Sequence, residues 1–163
     1  MILYHGGTLT VEFPEIRLSD RTLDFGVGFY TTSSFSQAAM WAKRKARLQN
    51  CIHSIVSAYY FPDDLSMFPQ LSCLSFPNVC REWLEFVLDN RIRNVSQHNY
   101  DLVREPVAND RVYACLNAFE TGFWDEAKVL SELKSYTFFD QIAFNSEYGI
   151  AFLTFIESRE IVS

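Results

Sequence analysis

Two hydrophobic spacings interleave along this chain, and together they restrict it to a mixed architecture. Residues Phe138 to Asn145 alternate, with Phe139, Gln141 and Ala143 on one side and Phe138, Asp140, Ile142 and Phe144 on the other, the period of two that a strand imposes. Val112, Cys115, Leu116 and Phe119 recur instead at i, i+3, i+4 and i+7, the stripe of a helical face. Both signals return from end to end, which predicts an α+β chain with strands spread along its length.

Strands are expected at Ile2 to His5, Gly28 to Thr32, Ile52 to Phe61, Tyr100 to Val107 and Phe138 to Asn145. Between them, Ser33, Ser34 and Ser36 offer N-caps for a helix over about Gln37 to Gln49, with Ala38, Trp41, Ala42 and Ala46 opposite Lys43, Arg44 and Arg47. Pro77-Asn78 opens a helix bearing Leu84, Val87 and Leu88; Asn109 caps the next, which Gly122 stops; Asp125 begins a short one with Val129, Leu130 and Leu133. Ser146 is expected to cap a last, strongly apolar helix. The region from Pro62 to Pro77 carries no readable pattern. Without repeats, low-complexity stretches or linkers, residues 1–163 read as one domain.

Composition narrows the class further. The chain has 163 residues, 48% of them hydrophobic, and 15 phenylalanines, enough to bury a substantial core. A net charge of -6 supplies no global field for nucleic acid; the run Lys43-Arg44-Lys45 with Arg47 reads as a solvated helix face. MILYHGG lacks a basic leader region, and no later stretch has the length of a membrane span, so a cytoplasmic protein without membrane association is expected. Cys51, Cys73, Cys80 and Cys115 show neither CxxC pairing nor a histidine at zinc-ligand spacing, so no metal is expected and the thiols read as reduced.

The stretch DFGVGFYTT, Asp24 to Thr32, is the densest local signal. Gly26 and Gly28 permit close approach to the main chain just before an extended aromatic-polar run. The triplet DFG lacks the other kinase motifs, and Gly26-Val27-Gly28 is not a GxGxxG fingerprint. His5, Tyr30 and Gln141 fall on predicted strands at the start, near the start and near the end of the chain. Singly, each has an ordinary structural explanation.

Together, in "LYHGG", "GFYTT" and "FDQIAF", they resemble the His-Tyr-Glu branch of the ADP-ribosyltransferase superfamily. The chain is also similar to a bacterial family known only as a domain of unknown function and grouped with those enzymes, through "LDFGVGFYTTSSFSQAAMWA", "PVANDRVYACLNAF" and "YTFFDQIAFNSEYGIAFL". The resemblance implies a single domain with a split β-sheet core, surrounding helices and an NAD-binding cleft. It implies that His5 bonds a ribose hydroxyl of NAD+, that Gly6 offers its N–H and C=O to the nicotinamide carboxamide, and that Tyr30 is the plate on which nicotinamide stacks. Gly28 would admit the ligand beside Tyr30, and Thr31 or Thr32 would line the cleft.

Gln141 stands where better-known members have glutamate, so it keeps a hydrogen bond but supplies neither negative charge nor a general base. Strand alternation turns its neighbour Asp140 to the other face. Arg17, Arg21 and Arg104 are candidates for the NAD pyrophosphate. The activity implied is mono-ADP-ribosylation, with nicotinamide cleaved from NAD+ and ADP-ribose passed to a protein or nucleic-acid acceptor. By family analogy it could serve as a toxin in a toxin-antitoxin or phage-defence pair, with an antitoxin protein as partner. The alternatives are a catalytically silent module of the same fold that binds NAD, ADP-ribose or a protein, and NAD-dependent RNA 2'-phosphotransfer, for which the chain shows no clear set of basic residues.

Overall fold

A computed structural model describes residues 1–17, 25–90, 98–107, 110–134 and 139–162. Arg21, Asp24, Asn109 and Phe138, named above, lie outside the described residues. The elements are β1 (Ile2–Gly7), β2 (Phe29–Thr31), α1 (Phe35–Leu48), β3 (Ile55–Tyr60), β4 (Cys73–Ser75), α2 (Arg81–Leu88), β5 (Leu102–Val107), α3 (Asp110–Glu120), α4 (Glu126–Lys134), β6 (Phe139–Phe144), α5 (Glu147–Ile150) and β7 (Thr154–Glu160). The expected α+β class is the observed one.

The strands form two sheets, one ordered β1-β3-β7 and antiparallel, the other β2-β6-β5-β4, in which only β4 and β5 run parallel. Apolar faces dictate how they stack. Leu3, Phe29, Tyr59, Phe61, Leu102, Ile142 and Phe144 form one core between the sheets. Phe25, Val103 and Ala143 join Trp83, Leu84 and Val87 of α2, Val112 and Leu116 of α3, and Val129 and Leu133 of α4 in a second. Ala38, Ala42 and Val56 make a third, between α1 and the first sheet. The layers therefore run α1, first sheet, second sheet, α2 to α4, and β6 alternates between two cores as its sequence period demands.

Local chemistry sets the helix starts. Ser34 is the N-cap of α1 and accepts the Gln37 N–H at 3.3 Å, so the helix opens at Phe35, two residues before its predicted start. The start of α2 is capped by Cys80, whose Sγ accepts from the Trp83 N–H at 3.4 Å. Two expectations need correction. The helix capped by Ser146 is a single turn, Glu147–Ile150, and the rest of that segment is strand β7. Thr154, Phe155 and Ile156 suit a strand, and pairing with β3 satisfies backbone groups that would otherwise be an open edge. The patternless region contains β4, three residues long and largely exposed, too short to impose a period. Among the described residues no helix is long and apolar enough to cross a membrane.

Candidate functional site

Among the described residues, one isolated main-chain bridge links the two packed sheets. Tyr4 N–H donates to the Thr32 carbonyl at 2.8 Å and Thr32 N–H to the Tyr4 carbonyl at 3.0 Å. No ladder continues from it, and β1 and β2 belong to different sheets. Main-chain groups alternate between the edges of an antiparallel strand, so Gly6 turns its N–H and C=O to the same edge as Tyr4, into the split. The Tyr30 carbonyl, which a continued ladder would pair with Gly6 N–H, lies instead 2.8 Å from His5 Nδ1.

That contact defines the state of His5. A carbonyl only accepts, so Nδ1 carries the proton and Nε2 presents a lone pair. Burial is the main cause that pushes the imidazole pKa down to about 4; the bond to Tyr30 opposes it and the Lys45 ammonium adds to it. The ring is therefore neutral at pH 7. It stacks on Phe29 with centroids 4.5 Å apart, which fixes its plane. Nε2 has no hydrogen-bond partner among the described residues and lies beside Gly7, where a built Cβ would stand 3.5 Å from it.

Tyr30 is held just as firmly. Its hydroxyl donates to the Gly26 carbonyl at 2.6 Å and accepts the Phe25 N–H at 3.3 Å, and Phe25 stacks on one ring face at 5.7 Å. Asn145 Nδ2 ties down the same loop through the Phe25 and Val27 carbonyls, at 2.8 and 2.9 Å, and His98 Nε2 lies 2.9 Å from Phe25 O. Asn145 and His98 were not singled out from sequence; a polar residue closing a strand carries no signal of which distant loop it will hold. Gly26 adopts φ +75°, a left-handed conformation that favours glycine.

Tyr30 opposes Ala143 in the β2–β6 register, so Gln141, two residues along, shares the Tyr30 face. Gln141 is half-buried and has no side-chain hydrogen bond among the described residues. His5 joins this pair only through the Tyr30 main chain, because its ring lies on the Phe29 side of β2. The structure thus bonds His5 to the Tyr30 main chain and puts Gln141 on the Tyr30 face, while the His5 ring lies on the other side of β2.

The remaining predicted residues serve the fold more than an opening. A Cβ on Gly28 would stand 2.7 Å from the Phe144 carbonyl, so the close approach it permits is that of β6. Thr31 is 3% exposed and its hydroxyl donates to the Ile142 carbonyl at 3.1 Å, which sets it inside the sheet; Thr32 is likewise buried and bonds Asp140 at 3.4 Å. Asp140, on the face opposite Gln141, accepts from Ser33 N–H at 3.1 Å and Ser33 Oγ at 2.6 Å and joins the end of β2 to β6. Arg104 lies 3.9 Å from Asp140, and Arg17 is an exposed residue 3.6 Å from Glu15.

These features define a mixed α+β protein whose two sheets part beside a neutral histidine anchored to the opposite strand. The chain belongs to the family described as a protein of unknown function, DUF3990, whose model matches residues 1–155. No curated protein and no solved structure matches it.

Proposed function

We propose that the chain is an NAD-dependent mono-ADP-ribosyltransferase with the split between β1 and β2 as its nicotinamide subsite. The observation that carries this reading is the interrupted ladder. Gly6 offers main-chain groups to the split, and His5, next to it in sequence, presents Nε2 beside Gly7 as a neutral acceptor, groups suited to a carboxamide and a ribose hydroxyl. The resemblance in LYHGG, GFYTT and FDQIAF points the same way.

NAD+ supplies a glycosidic bond whose electron pair leaves with the nicotinamide nitrogen, neutralising the pyridinium and leaving an electrophilic ribose carbon for the acceptor. Gly6 N–H orients the carboxamide oxygen and Gly6 C=O its amide hydrogens. His5 Nε2 accepts from a ribose hydroxyl, and Tyr30, its ring fixed by the Gly26 and Phe25 bonds, holds the ring plane. The Gln141 amide oxygen accepts from the 2'-hydroxyl. It provides no charge for the developing cation and cannot take the acceptor's proton, which passes to solvent; slow turnover and single rather than polymeric transfer follow.

The same Gln141 favours a second reading, a module that binds NAD+ without cleaving it. Release of nicotinamide by the purified protein, measured with cell lysate as acceptor source beside His5→Ala, Tyr30→Ala and Gln141→Ala, separates the two. Release that all three substitutions abolish supports the transferase. Binding of NAD+ without release, in a folded protein with and without lysate, overturns it in favour of the silent module.

A further inference from the structure

Helix α1 carries Lys43, Arg44, Lys45 and Arg47 within 14 residues and no aspartate or glutamate, in a chain of net charge -6. Successive residues turn by about 100°, so Lys43, Arg47, Met40, Arg44, Leu48 and Trp41 follow one another round the outer face, and Lys45 borders it on the Trp41 side. Met40 is 57% exposed, Leu48 64% and Trp41 38%. Lys43, Lys45 and Arg47 have no ion-pair partner among the described residues, and the Arg44 guanidinium sits 5.6 Å over the Trp41 ring. Solvated cationic faces ordinarily interleave carboxylates four residues away; this one presents exposed apolar and aromatic groups instead.

We propose that the outer face of α1 binds single-stranded nucleic acid. Unneutralised cations match a phosphate backbone, while an exposed indole braced by a guanidinium offers a base a stacking surface. An acidic protein segment would use the cations but give Trp41 and Met40 no planar partner. The opposite, buried side of the same helix packs on β1: Ala38 and Ala42 lie against Gly6, where a built Cβ would lie 2.1 Å from the Ala38 carbonyl, and Thr8, just past β1, bonds Gln49 at 3.0 Å. The influence of Lys45 on His5 agrees with this placement. As the acceptor surface of a transferase the face rests on the function proposed above; as a binding surface it does not.

The test is fluorescence anisotropy of a short labelled single-stranded RNA, and the matching DNA, with the full chain and no NAD+. Binding should weaken with salt, with a log–log slope of about -2 if three cations meet phosphates, and Lys43→Gln with Arg47→Gln should reduce the slope by about 1.4. Trp41→Ala should weaken binding roughly tenfold while changing the slope little. Trp41 and Arg47 are exposed and Lys43 is half-buried at the rim of this face, so circular dichroism should report unchanged folding. Absence of binding at low salt, binding equal in all variants, or displacement by polyglutamate with no effect of Trp41→Ala would each overturn the proposal, the last in favour of an acidic protein partner. Loss of nicotinamide release with oligonucleotide binding intact would strike only the transferase reading.

Discussion

His5 couples proton binding to folding. Its pKa is about 4 in the folded protein against 6.5 for a free imidazole, so between those values the unfolded chain binds a proton that the folded one refuses. Stability conferred by the neutral ring is fully present above pH 6.5 and is lost as pH falls to about 4, below which both states are protonated. The term amounts to at most about 3 kcal/mol. Urea unfolding across this window should show a decline that His5→Gln, which keeps a donor for the Tyr30 carbonyl, largely removes. Parallel profiles for the two proteins would refute the coupling. At the same scale, Gly6 and Gly7 look alike in sequence and differ in consequence. A methyl on Gly6 meets the rigid α1 backbone, whereas one on Gly7 makes an ordinary 3.5 Å contact with His5 Nε2. Gly6→Ala should cost at least about 2 kcal/mol and Gly7→Ala well under half of that, by chemical denaturation. Equal costs would mean that α1 yields.

The legibility of each element followed from its length and from how many layers it meets. The stripe Val112, Cys115, Leu116 lies buried against α4 and the second sheet, and so betrayed α3. The period of two in β6 sorted Ala143 from Ile142 and Phe144, and put Gln141 on the Tyr30 face, because each side of that strand meets a different core. Segment 146–160 misled for the opposite reason. Ile150, Phe152, Leu153 and Phe155 all pack toward the inter-sheet core, so apolarity alone matched a helix, and only the open edge of β3 decides for a strand. In the candidate site, the positions of His5 and Tyr30 were readable, but the anchoring of Tyr30 by Gly26, or of loop residues 25–27 by Asn145, was not. Those bonds join segments 118 and 120 residues apart in the Asn145 case, and no local pattern encodes such a pairing.

Across the whole molecule, β7 closes the first sheet with charged residues on its outer edge, Glu157, Arg159 and Glu160, a common means of discouraging edge-to-edge pairing. Its removal would bare β3, whose Val56 to Tyr59 are buried or apolar in the main, and would take away Phe155, which meets Tyr59 at 6.0 Å. A chain ending at Leu153 should lose its cooperative thermal transition and self-associate, as light scattering during the melt would reveal; an unchanged melting temperature would show that β7 is dispensable.

The pairing of β2 with β6 has a further consequence in time. Thr31 and Ile142 are joined across 111 residues, and among the described residues β2 has no other ladder than the one it forms with β6. A ribosome adding roughly 5–20 residues per second therefore exposes His5 and Tyr30 for several seconds before the strand that arranges them exists. The half-made chain holds every residue of the N-terminal part of the site and none of its geometry, so whatever this site does begins only after β6 has been made.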